Sequence, residues 1–402
     1  MKLTQLKTYS ALLMGAILLA SCSEDEGSSV NNLVEAPATY TFERDNNSTV
    51  NFSGQTTRIA MAEELNSALK NPNLDEATLD AMFAHEEGNQ DFSVGSLNDS
   101  DKNLRSKTAA SADYFSANST DAAAIKADFD GFIAGQANEV FPAWGNTASP
   151  GTPGQLQQAG GGTIRYISAK GLEYDQAYAK SLLGALMMDQ ILNNYLSPTV
   201  LDEADNRMEN GQKVVAEGKN YTVMEHKWDE AYGYLYGAEA TPANPSLGQD
   251  SFLSKYLERV KADADFAGID TDIFDAFKLG RAAIVANDYE LRDAQAEIIR
   301  EKISMIPAIR AVYYLEDAKD DLNTDPARAF HALSEAYGFI YSLQFTRQPG
   351  TNSPYFSKAE VDAFLSTLME NNGFWDLTPA TLEAMSSQIA SRYSFTVAEA
   401  AN

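Results

Sequence analysis

Apolar residues recur at helical spacing along most of the chain. The period predicts helices over residues 57–70, 74–84, 119–139, 171–196, 223–237, 252–266, 272–286, 290–319, 326–345, 358–370 and 379–393. Pro307 is expected to kink the helix over 290–319, and Pro326 suits the first turn of the helix it opens. The stretch 171–196 is apolar nearly all round the wheel, as a central bundle helix must be. Strand-like alternation is confined to residues 39–53, around Asp45-Asn46-Asn47, and predicts a small hairpin. Residues 141–162 carry many Gly and Pro breakers and no period, so a long loop is expected there, serving a binding surface or lacking fixed structure.

Two of these helices carry one pattern. His226-Lys-Trp-Asp-Glu230-Ala231-Tyr232-Gly233 and His331-Ala-Leu-Ser-Glu335-Ala336-Tyr337-Gly338 both fit H-x-x-x-E-A-Y-G, followed by an aromatic, an aliphatic and a tyrosine. This is read as internal duplication. The expected architecture is all-α: two duplicated helical-bundle units with a small N-terminal β-hairpin. The predicted segments are a signal peptide (1–21), a flexible acidic tether (22–38), a first unit with the hairpin (39–240) and a second unit (241–402).

On a helix, His226 and Glu230 lie one turn apart, with Gly233 continuing the row, and His331, Glu335 and Gly338 do the same. A glycine inside a helix costs roughly 1 kcal/mol against alanine. Its presence in both copies predicts a close helix–helix approach. Two readings of the His–Glu pairs stand. Helical bundles can hold a metal between such residues, so His226, Glu230, His331 and Glu335 form a candidate metal-ligand set. Alternatively, each histidine orients its glutamate by a hydrogen bond and the motif is packing, which is the default. A second candidate is a ligand pocket built from Trp144 in the loop and the polar stripe Glu173, Gln176, Lys180 on the buried helix. Buried charge needs a partner, so Glu173 and Lys180 are also expected to satisfy each other and their neighbours. The third histidine, His85, is expected on the surface near a helix end.

The formal charge of −27, from 57 acids against 30 bases, excludes a nucleic-acid-binding surface. Lys2 and Lys7 precede an apolar run, Ala11 to Ala20, which is too short to span a membrane as a helix. Leu19-Ala20-Ser21-Cys22 then fits a bacterial lipoprotein cleavage site, with lipidation at Cys22, the only cysteine. No HExxH, G-x-S-x-G, G-x-G-x-x-G or phosphate-loop pattern is present.

The acidic run after Cys22 resembles the export signal of surface lipoproteins in the Bacteroidetes. The stretches Gly54-Gln-Thr-Thr-Arg58, Lys170-Gly-Leu-Glu-Tyr174, Gly184 to Leu196 and Trp228 to Tyr234 resemble an uncharacterised lipoprotein family of that group, with no assigned activity. A more distant similarity is to imelysin-like proteins, which implies two repeated helical bundles, export and a link to iron uptake or metallopeptidase activity. The imelysin pattern G-x-H-x-x-E differs here: both copies lack its glycine, and only the first keeps an acid, Asp229, three residues on. The expected function is that of an outer-membrane lipoprotein, facing the cell surface or the periplasm. It would be a non-enzymatic ligand-binding or nutrient-uptake accessory, with a metal ion or metal complex as candidate ligand. Its partners would be the membrane through Cys22 and a small ligand or surface protein complex. The alternative is an imelysin-like metallopeptidase or another carboxylate-dependent hydrolase.

Overall fold

The computed structural model describes residues 33–402; the signal segment and Cys22 lie outside them. Helices dominate, as the periodicity predicts. The hairpin pairs β1 (Glu43–Arg44) with β2 (Asn47–Ser48). Asp45 and Asn46 turn it with φ of 53° and 61°, the positive values a two-residue hairpin turn requires. α1 (Ser53–Ala68) and α2 (Glu76–Phe83) follow, and Asp75 caps α2 by accepting from the Thr78 N–H. A short α3 (Gly95–Asn98) precedes α4 (Ser119–Gly135). His85 in this region is buried, not exposed. Its Nδ1 shares a 2.6 Å hydrogen bond with Asp91 and its ring sits edge-on to Phe92.

The breaker-rich stretch holds a second hairpin. β3 (Gly154–Gln157) pairs antiparallel with β4 (Ile164–Ile167). Trp144, the loop residue of the candidate ligand pocket, stacks on Tyr166 of β4 at 3.5 Å and packs the hairpin.

α5 (Tyr174–Leu182) continues through two π-type stretches to Tyr195, buried from Ala177 onward. Two short helices, α6 (Pro198–Leu201) and α7 (Asn206–Gly211), lead to α8 (Val223–Tyr236), which carries the first motif. α9 (Leu253–Ala262) and α10 (Ile269–Ala286) precede α11 (Tyr289–Asp321), which runs on through Pro307. α12 (Pro326–Ser342) carries the second motif, capped by Asp325. α13 (Lys358–Leu368), α14 (Pro379–Ala390) and a last turn, α15 (Val397–Ala400), close the chain.

α11 packs against α10, α12 and α14, and α12 packs in turn against α5. Residues 34–402 form one compact unit. The α5–α12 contact therefore crosses the sequence boundary at residue 240. Among the described residues no helix is long and apolar enough to cross a membrane.

Candidate functional site: two clefts under the repeated motif

In each motif copy the glycine marks where a neighbouring helix comes closest. A Cβ on Gly233 would lie 2.3 Å from Phe52 Cβ and 3.1 Å from Gln55 Cβ. One on Gly338 would lie 2.4 Å from Lys180 Cβ and 2.9 Å from the Ser181 nitrogen. The residue brought in there reaches back to the motif glutamate. Gln55 Nε2 donates to Glu230 Oε1 at 3.0 Å, and Lys180 Nζ pairs with Glu335 Oε1 at 3.0 Å. A tyrosine hydroxyl donates to each carboxylate: Tyr195 to Glu230 at 3.1 Å, Tyr256 to Glu335 at 3.2 Å. A backbone N–H at the start of the neighbouring helix donates to the fourth motif residue. Asn51 gives to Asp229 at 3.3 Å and Glu173 to Ser334 Oγ at 2.9 Å.

The histidines diverge. His331 Nδ1 shares a 2.7 Å hydrogen bond with Glu173 Oε2. His226 stacks on Tyr221 at 4.6 Å, and its buried Nδ1 has no partner among the described residues. The orienting His–Glu bond one turn apart is made in neither copy, because the neighbouring helix claims each glutamate. Glu173 and Lys180 likewise do not pair with each other. Glu173 takes His331, while Lys180 takes Glu335 and donates to Gln176 Oε1 at 2.7 Å.

The four candidate metal ligands are divided between two clefts. His226 and Glu230 line one of about 410 Å³, and His331 and Glu335 line another of about 770 Å³. Among the described residues no group of three or more His, Cys, Asp or Glu is arranged to hold a metal ion. Asp229 is committed elsewhere: it accepts from Tyr40 OH at 2.7 Å and Arg281 Nε at 3.0 Å, wholly buried.

The electrostatics of the larger cleft follow from its buried floor. Burial alone would raise the Glu335 carboxyl; Lys180, then His331, outweigh it and hold it at about 2. Burial works against the Lys180 ammonium too, yet Glu335 keeps it above its usual value. Burial, with Glu173 nearby, pushes the Asp175 carboxyl up to about 6. Lys180 and Glu335 thus form a charged pair in the floor at neutral pH.

Above it stand residues the sequence did not single out: Tyr256 on α9, Tyr313 and Tyr314 on α11, and the bases Lys255, Arg259 and Arg310. A signal for one of them was present. Arg310 interrupts the otherwise apolar run from Met305 to Leu315. The smaller cleft is also basic, lined by Arg58, Lys102, Lys107 and Lys219 with Glu230. Burial, and then Arg58, lowers Lys107 there.

These features define a mostly helical protein with two clefts, each floored by a motif glutamate held from the neighbouring helix. The chain belongs to the family described as Domain of unknown function (DUF4856), whose model matches residues 37–396. No curated protein and no solved structure matches it.

Proposed function

We propose that the chain is an exported lipoprotein, anchored to the outer membrane through Cys22, that binds a small ligand without transforming it and serves nutrient uptake. The observation that carries the reading is the cleft beside His331 and Glu335. Its volume of about 770 Å³ falls in the range of small-molecule sites, and three tyrosines wall it. The paired contacts of Glu230 and Glu335 support descent of the two motif regions from one duplicated helical unit. A metal complex fits the cleft better than a bare ion, because Lys180 already neutralises Glu335.

Two measurements test this. Mass spectrometry of the mature N-terminus should find a lipidated Cys22, and Cys22→Ser should move the protein from the membrane to the soluble fraction. A thermal-shift panel of iron, zinc, calcium, metal chelates and neutral and acidic sugars should yield at least one stabilising class. Tyr313→Ala, a change at the cleft wall, should abolish that shift. A shift that survives it, or none with any class, contradicts the reading.

A further inference from the structure

Three bases that line the larger cleft, Lys255, Arg259 and Arg310, have no acid to serve among the described residues. Arg310 is only 8% exposed, and its buried Nε has no hydrogen-bond partner among the described residues. Its guanidinium lies over Tyr313 at 4.0 Å and Tyr314 at 4.6 Å, held by aromatic faces and not by a carboxylate. Lys255 stands over the Tyr256 ring at 5.6 Å, and Arg259 lies one helical turn further along α9. None of the three takes part in an ion pair among the described residues.

The acids lining the same cleft are all engaged. Glu335 holds Lys180 at 3.0 Å, and Asp317 holds Arg328 at 2.6 Å. Asp263 caps the turn that follows α9 by accepting from the Asp265 N–H, and Asp265 accepts from Asn402 Nδ2 at 3.3 Å. Arg310, buried without a partner, is a costly arrangement, and Lys255 and Arg259 add unpaired positive charge at the more open side of the same cleft. A buried guanidinium without an acceptor is compensated when a ligand supplies one, and arginine suits the two oxygens of a carboxylate or phosphate.

We propose that this cleft binds a small anionic ligand of about monosaccharide size. Its carboxylate or phosphate would sit on Arg310 between Lys255 and Arg259, and its body would lie against Tyr256, Tyr313 and Tyr314. The proposal rests on the binding reading above and sharpens it to a charge class. Burial, and then the nearby Lys180 ammonium, already lowers the Lys255 ammonium. An arriving anion relieves that repulsion.

Calorimetric titration of the full-length protein in detergent tests it. The probes are glucuronate, glucose 6-phosphate and inorganic phosphate, with glucose as the neutral match. The expected result is binding of glucuronate or glucose 6-phosphate, at least tenfold tighter than glucose and weakened by added salt. Preference between the two identifies the anionic group. Inorganic phosphate binding as tightly as glucose 6-phosphate would remove the role given to the tyrosines and overturn the proposed ligand size. Arg310→Gln should cut affinity at least tenfold. Lys255→Gln and Arg259→Gln, at less buried positions, should each cut it several-fold with the fold intact. Glucose binding as well as the anions overturns the anionic assignment and leaves the binding reading standing. Heat from no probe, with the thermal-shift panel also silent, overturns both. Unchanged affinity in Lys255→Gln and Arg259→Gln places the anion elsewhere and overturns the site.

Discussion

Glu230 and Glu335 occupy the same motif position, yet one is held by an amide and the other by an ammonium. The difference predicts unequal costs. Lys180→Met strands a buried carboxylate and should cost about 3–5 kcal/mol in urea unfolding. Gln55→Met removes one hydrogen bond from the less buried Glu230 and should cost about 1–3 kcal/mol. Equal losses would mean that the Lys180–Glu335 pair is not the buried tie described here. At this scale the sequence was half legible. The stripe of Glu173 and Lys180 on an apolar helix signalled buried charge that had to be satisfied. Which acid met which base depended on the register of α5 against α12, which no local spacing encodes. Arg310 was visible as a charge in an apolar run, but its cleft partners Lys255 and Arg259 come from another helix.

Between elements, the clearest test is the motif glycine. Helix propensity alone would favour alanine at Gly338 by roughly 1 kcal/mol. The Lys180 Cβ and the Ser181 nitrogen leave no room for a methyl there. Gly338→Ala should therefore destabilise by about 1–3 kcal/mol. Gly131→Ala in α4, where nothing lies within 4 Å, should stabilise slightly. Thermal unfolding of both variants checks the contrast, and a stabilised Gly338→Ala would contradict the close approach. Most helices were legible from their period, and the first hairpin from Asp45-Asn46. The second hairpin was missed because Gly154-Gln-Leu-Gln157 offers little apolar alternation. The short run Ile164-Arg-Tyr-Ile167 was its one signal. The π-type stretches after α5 leave no mark that periodicity can find, because the first is apolar on every face and the second is buried all round, Asn193 and Asn194 included.

Across the whole molecule, charge sets the response to pH. Burial raises Asp175 and Asp189 to about 6 and Asp250 to about 7. A carboxyl whose folded value exceeds its unfolded one binds more protons when folded, so stability rises as pH falls through the folded value. Each such group contributes roughly 1.4 kcal/mol per pH unit across its window. Glu335 has the opposite sign: its contribution is full above its unfolded value and is lost only as pH falls towards about 2. Relief of the −27 charge acts in the same direction as the three aspartates. The melting temperature should therefore rise from pH 7.5 to pH 5.5, and a fall over that range would contradict these assignments. Unpaired bases gathered in a cleft are what a site for an anion requires, and here they stand against an otherwise acidic chain. The composition disclosed the acidity, and only the packing of α9, α11 and α12 disclosed the gathering of bases.

The most direct measurement is diffraction from crystals soaked in selenate, whose anomalous signal locates an oxyanion, with a parallel zinc soak. The selenate peak is expected against the Arg310 guanidinium, between Lys255 and Arg259. A cleft without that peak, together with zinc seated on His331 and Glu335 in place of Lys180, would contradict the account.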